Sequence, residues 1–493
     1  MEKSKLESMV ALDLRSLGLF RIALGLLVTV DALYRGRELH AFFSTDGVVP
    51  PDAFARHSTV GTWSPLLWFD GVWWPGLFIA ALAGSGLLIA IGRATRPAIG
   101  VAWLALLALN LRNPYIRQVA DTLLPLLLMW GLFLPLSKRL VVGQKAPLRP
   151  GTSVSAAGVF FQLQILLVYV EAGIYKMYSG PWVKGSILIE GLHIDPVARD
   201  FGRRLLAFPG LLKGAGIAAV PFEVVGPLFA WIPWRTDAFR AVTVGVFIAF
   251  HLLGIGLLLD LALIPYLMAM VWLPLIPGGV WDRLLPRPDA APEHHRSGTR
   301  TNRLVMVLAA LSFSTAVPDF FMVPTPQALK PTFAFLERIE VGQGYYSLWT
   351  KPLGSRHYVI AATLADGTEV DLHAGRPLDW QSPRRTPYDN HWYKLFQDLR
   401  QEPWLRHGVT TWFVQEWERT HPHGPPVQQV VLGIFQVPRQ PPAWWLSRAS
   451  LPVDQERWLY RWQYTVRHVD GEARLGPQTV IRKEKWGALT PVD

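Results

Sequence analysis

Gln164, Tyr169, Glu171, Tyr175 and Lys176 are polar side chains in or at the end of one otherwise apolar stretch, Ala156–Met177. A lysine in a low-dielectric pocket has its charged form disfavoured and can then act as a base near neutral pH. The competing reading is that Lys176 merely closes the helix, because Tyr178, Ser179, Gly180 and Pro181 follow at once. At about 100° per residue, Gln164, Tyr169 and Lys176 are expected broadly on one side of that helix. His251 lies in a second apolar stretch, as either a hydrogen-bonded packing residue or a catalyst. Glu223 lies in a third, where it is a candidate partner for an Arg or Lys of a neighbouring helix. Arg21, in the first stretch, either snorkels to the interface or joins a buried pair, for which Asp121 and Glu223 are the expected partners.

Other chemistries find no support. With no Cys among 493 residues, disulfides, thiolate nucleophiles and iron–sulfur ligation are excluded. There is no His-Glu-x-x-His, no Gly-x-Ser-x-Gly and no nucleotide-binding fingerprint. His294 and His295, read as loop residues, have no third ligand at metal spacing, and the same holds for His421 and His423. No metal is expected.

The elements that must position these groups are membrane helices. Apolar residues make up 51% of the chain and charged residues 17%, below the ~25% usual for soluble domains. The net charge of +11 fits cytoplasmic loops and lipid headgroups better than nucleic acid, and 22 Trp suit bilayer interfaces. The apolar stretches are Leu17–Tyr34, Trp74–Ile91, Pro97–Leu111, Leu123–Leu136, Ala156–Met177, Leu211–Ile232, Phe239–Leu259, Leu261–Ile276 and Leu304–Val317. Leu261–Ile276 follows Asp260 without a loop and holds Pro265 and Pro274, so a re-entrant or broken segment is one reading of it. The first stretch reads as a span and not a cleaved leader, since it carries Arg21 and Asp31. The expected fold is an α-helical integral membrane domain of eight or nine spans, residues 1–322, followed by a soluble strand-rich α+β domain, residues 323–493. In the second part, Asp366-Gly367 and Asp470-Gly471 mark hairpins between His357–Leu364 and Thr368–Leu372 and between Leu459–Val469 and Ala473–Ile481. Val427–Val437 reads as a strand, Asn390–Arg400 and Val409–Thr420 as short helices, and Pro286–Arg303 as a linker between the last two spans.

These residues also carry a resemblance. Asp13-x-x-Ser16-Leu17-x-x-Phe20-Arg21-x-x-x-Gly25, with Asp31, resembles the first membrane helix of vitamin K-dependent gamma-glutamyl carboxylases and their bacterial HTTM-domain relatives. Gln164 to Tyr169, then Ala172-Gly173, Lys176, Trp182-Val183 and Gly185, is similar to that family's most diagnostic segment, and Phe250-His251 and Glu223 are similar too. The resemblance covers roughly residues 12–280. It implies a multi-pass protein of a bacterial inner membrane, in contact with lipid. It also implies a base at Lys176 that deprotonates a reduced, vitamin K-type quinone. Oxygen then adds, an epoxide forms, and the strongly basic intermediate takes a glutamate γ-proton so that CO2 can attack. No metal takes part, and the protein substrate is an exported protein or peptide. His251 is expected to orient or polarise the quinol, with Gln164, Tyr169, Tyr175, Asn113, Trp182 and Glu223 as pocket candidates. Asn113 stands where the carboxylases have a His, and Tyr175 where they have a second Lys. These departures touch the carboxylation half-reaction more than quinol oxidation. The alternative from another class is a non-catalytic scaffold, or a quinone- or lipid-binding maturation factor, whose C-terminal domain binds a partner protein.

With a cytoplasmic N-terminus, the inner loops hold sixteen Lys and Arg and the outer loops nine, which favours that orientation. Nine crossings then carry the C-terminal domain to the extracytoplasmic side, whereas eight, with Leu261–Ile276 re-entrant, leave it in the cytoplasm. A C-terminal reporter that works only in the cytoplasm is expected to stay silent, and activity of that reporter would refute the placement.

Overall fold

The computed structural model describes residues 5–57, 64–144, 148–194, 197–285, 291–343, 356–379, 391–399, 402–436, 457–478 and 480–486. The apolar stretches are helical because a helix satisfies its own backbone hydrogen bonds where water is absent. In chain order they are α1 (Leu14–Gly36), α2 (Trp73–Ile91), α3 (Thr95–Arg112), α4 (Ala120–Gly131), α5 (Ala156–Met177), α6 (Pro209–Val225), α7 (Thr236–Ala249), α8 (Ile264–Met270) and α9 (Thr299–Phe320). Among the described residues, six helical segments are long and apolar enough to cross a membrane: α1, α2, α5, α6 extended to Trp231, α7 extended to Ile255, and α9. The segment expected around Leu261–Ile276 is bent: Ile264–Leu275 and Gly278–Leu284 meet at 91°. Pro274 and Pro277 remove amide donors at that corner, so one straight helix cannot continue through it.

α1 and α2 touch backbone to backbone. A Cβ on Gly25 would overlap the backbone nitrogen of Ala90, and one on Gly86 would lie 2.7 Å from the Gly25 carbonyl oxygen. Arg21 is buried at this contact, but it pairs with neither Asp121 nor Glu223. It donates to the carbonyls of Ile89, Ala90 and Leu140, each at 2.6 Å. Ile89 and Ala90 belong to the last turn of α2, where unpaired carbonyls and the negative end of the helix dipole favour a cation. Gly92 turns the chain there at φ +84°, and a Cβ on it would meet the Arg21 guanidinium. Helix-end carbonyls, not a carboxylate, neutralise this charge.

A small sheet gathers three chain segments at one end of the bundle: β1 (Leu12–Asp13), β2 (Gly151–Val154) and β3 (Glu293–Arg296), in that order, with β2 and β3 parallel. His294 and His295 therefore lie on a strand and not in a loop, and His294 Nδ1 is 3.0 Å from Thr152 Oγ1.

The C-terminal part holds α10 (Lys330–Arg338), α11 (His391–Asp398) and α12 (Pro403–Thr420). Its strands are β4 (Arg356–Leu364), β5 (Glu369–Asp371), β6 (Arg376–Pro377), β7 (Val427–Gln436), β8 (Arg457–Val469), β9 (Glu472–Leu475) and β10 (Val480–Trp486). They form an antiparallel sheet of order β10-β8-β7-β4-β5-β6, with β9 also paired to β8. Both Asp-Gly turns are present. The strand expected over Ala473–Ile481 is two strands along one edge of β8; they part near Gly476, whose amide donates to the Thr465 carbonyl at 2.8 Å. Aromatic contacts dock this domain on the membrane part, with Phe42 against Trp392 at 4.6 Å and Tyr115 against Trp404 at 5.6 Å between ring centres.

Arg21→Met removes charge-assisted bonds to three carbonyls, one buried and two half-buried. It is expected to lower stability by at least about 2 kcal/mol, seen as a lower thermal midpoint of the detergent-solubilised protein. An unchanged midpoint would contradict the capping role.

Candidate active site

The site is built on α5, whose start is fixed by Ser155 accepting from the Gly158 amide at 3.1 Å. The helix has two polar faces. Tyr169 and Lys176, seven residues apart, lie about 20° from each other around the axis, whereas Gln164, Glu171 and Tyr175 cluster roughly 120° away. Gln164 is thus not on the face of Lys176, contrary to the sequence expectation. It exchanges amide hydrogen bonds with Gln343 at 2.7 and 3.0 Å and accepts from Trp130 Nε1 at 3.3 Å. Tyr175 donates to the Asp319 carbonyl at 3.0 Å. Asn113 donates to the Phe42 carbonyl at 3.3 Å and caps the short turn Pro114–Ile116. These three side chains are engaged in structural contacts away from Lys176.

The other face brings Lys176, Glu223, Tyr169, His251 and Trp182 together in two linked clusters. A Cβ on Gly173 would overlap Val224, so α6 approaches α5 at that glycine and delivers Glu223 to the Lys176 ammonium. Both side chains are buried, and the ammonium sits 4.7 Å from the centre of the Trp182 ring. About two turns away, Tyr169 Oη lies 2.5 Å from His251 Nε2 and accepts from Trp272 Nε1 at 2.8 Å. His251 stands on a π-helical turn, Phe250–Ile255, that continues α7; such turns recur at functional sites. The indole N–H can only donate, and the Tyr169 hydroxyl keeps both its proton and a second lone pair for His251 Nε2, so the tautomer of the ring sets the direction of that bond. His251 Nδ1 is buried with no partner among the described residues, and it carries a hydrogen in the neutral tautomer whose Nε2 accepts from Tyr169. Phe222, next to Glu223, and Phe250, next to His251, meet at 5.0 Å between ring centres and bridge the clusters. Phe247 stacks between Phe222 and Trp272, at 4.5 Å from each. Lys176 also acts electrostatically on His251.

A second charged cluster went unread in the sequence. Arg35 is buried and holds Asp31 at 2.8 Å, Asn110 at 3.2 Å and the Asp121 carboxylate. Asn110 donates to Glu340 Oε1 at 3.2 Å, and Arg117 donates to Glu340 Oε2 at 2.9 Å. Asp121 is therefore the partner of Arg35 and not of Arg21. The signal available was the i, i+4 spacing of Asp31 and Arg35, which places both on one helix face. A cavity of about 430 Å³ opens beside this cluster, bordered by Asp31, Tyr34, Arg37, Asp121, Asp260 and His391.

The chain matches no protein-family model, no curated protein and no solved structure.

Burial pushes the Glu340 carboxyl up to about 7, against the opposing pull of Arg117 and Asn110. The folded chain binds this proton more tightly than the unfolded chain, whose value is near 4.5. The contribution to stability is full below that lower value and is lost as the pH rises through about 7. The expected loss is on the order of 2–3 kcal/mol, read as a thermal midpoint that falls across this window. Glu340→Gln is expected to flatten the profile, and a flat wild-type profile would contradict the assignment.

Proposed function

We propose that the protein is a multi-pass membrane enzyme of the gamma-glutamyl carboxylase type. It binds a reduced quinone beside Lys176 and His251 and oxidises it with oxygen. Carboxylation of glutamate in an exported polypeptide is the further activity that the sequence resemblance implies. The observation that carries this reading is a buried Lys176–Glu223 pair on the same face of α5 as Tyr169, which contacts a histidine whose Nδ1 has no partner among the described residues. On this reading, the shorter α3 and α4 and the bent segment after Leu263 bring the six long spans to nine crossings, and the strand-rich domain lies outside the cytoplasm.

The residues fit a quinol. His251 Nδ1, unpartnered among the described residues, suits a ligand oxygen when Nε2 accepts from Tyr169, and Phe222, Phe247, Phe250 and Trp272 offer an apolar, aromatic wall to a planar ring. When bound, a reduced quinone supplies the electrons and an acidic hydroxyl. Lys176 Nζ passes one proton to the Glu223 carboxylate, and the neutral amine so formed accepts the proton of that hydroxyl. The ammonium is thereby restored beside the new oxyanion, where its charge stabilises the product of the transfer. His251 Nδ1–H donates to a ligand oxygen, and Tyr169 and Trp272 hold the ring in the tautomer that permits it. The surrounding apolar side chains exclude water, which strengthens each of these interactions.

Purified full-length protein, given reduced naphthoquinone and oxygen, is expected to form the quinone epoxide. Lys176→Met is expected to lower the rate by about 10²-fold or more, the range of general acid–base catalysis. Folded wild-type protein that forms no oxygenated quinone would overturn this reading in favour of a scaffold.

A further inference from the structure

The second polar face of α5 carries a group that the quinol reading does not use. Glu171 is 1% exposed, and neither of its carboxyl oxygens has a hydrogen-bond partner among the described residues. It lies about one and a half turns inside the end of α5. A bare carboxylate in such a place, with no counter-charge, costs several kcal/mol, while a neutral acid costs much less. The elements packed on α5 bring other charges, but they are engaged elsewhere: Glu223 of α6 is held by Lys176 on the opposite face, and Asp121 of α4 by Arg35. The charge that acts on Glu171 is that of Asp319, near the end of α9. Tyr175, one turn further along the same face, ties the two helices at this point by donating to the Asp319 carbonyl. Asp319 is partly exposed, and beyond it the exposed Glu337 of α10 feels its charge. Carboxyl groups thus run from the interior of the bundle to the surface. Among the described residues, no group of three His, Asp or Glu could hold a metal ion.

We propose that Glu171 is a proton-binding site of the membrane domain, which exchanges its proton with water through Asp319. In the release step the Glu171 O–H bond breaks, the Asp319 carboxylate accepts the proton, and Asp319 then passes it to water. Uptake is the reverse. No oxidant, metal or second ligand takes part. Glu171 and Lys176 face different helices, so this site is separate from the quinol site and stands whether or not the quinol reading does.

The test uses dicyclohexylcarbodiimide, an apolar reagent that adds to protonated carboxyl groups buried in membrane proteins, on the full-length chain in detergent. The adduct is read by mass spectrometry of the peptide that contains Glu171. An adduct is expected at Glu171, absent in Glu171→Gln, that falls about tenfold per pH unit once the acid ionises. Asp319→Asn removes a like charge and is expected to move that fall to lower pH. No adduct at Glu171 in folded wild-type protein, or an adduct that does not change with pH, would overturn the proposal. An unchanged profile in Asp319→Asn would overturn the part assigned to Asp319.

Discussion

A charged group inside a helical bundle has to be neutralised by something the bundle itself supplies, and most of this architecture follows from how that is done. Lys176 is the most consequential case. Its ammonium meets the Glu223 carboxylate only because Gly173 lets α6 approach the backbone of α5. Removing one partner of a buried pair typically costs about 3–5 kcal/mol, so the contact holds two helices in register as well as holding a proton donor next to an acceptor. The aromatic wall of Phe222, Phe247 and Trp272 fixes the third helix against the other two, and with it the orientation of His251.

Other buried charges are neutralised in different ways. Arg21 uses the carbonyl end of α2, which demands Gly92 and ties α1 to the neighbouring loop at Leu140. Arg35 uses two carboxylates and an amide, and through Asn110 and Glu340 it connects α1, α3 and α4 to the segment that follows α10. Glu171 has no hydrogen-bond partner among the described residues. The contrast between a carboxylate held by an ammonium on one face of α5 and a bare carboxyl on the other gives the two faces different chemistry.

The apolar runs made the helices legible, and the two Asp-Gly pairs made the turns of the sheet legible, because both signals are local. Tyr169, Lys176, Glu223 and His251 were legible for a related reason: polar groups inside apolar runs are few, and each needs a partner; Trp182 entered only through the resemblance. Which partner was not legible. Backbone carbonyls are invisible to a search for opposite charges, which is why Arg21 was matched to Asp121. Gln164 was placed with Tyr169 and Lys176 although five and twelve residues turn a helix by roughly 140° and 120°, and Asn113 belongs to a loop whose path depends on the position of Phe42. The bend after Leu275 was foreshadowed by Pro274, and the break near Gly476 by that glycine, but neither the angle nor the register follows from composition.

The central claim is that a quinone lies between Lys176 and His251, and photo-crosslinking tests it most directly. A naphthoquinone carrying a small photoreactive group, irradiated with the folded protein, is predicted to label peptides containing Tyr169–Lys176 and Phe247–His251. Unmodified naphthoquinone should suppress that labelling. Labelling confined to the lipid-facing surface of the helices, and indifferent to the competitor, would contradict the account.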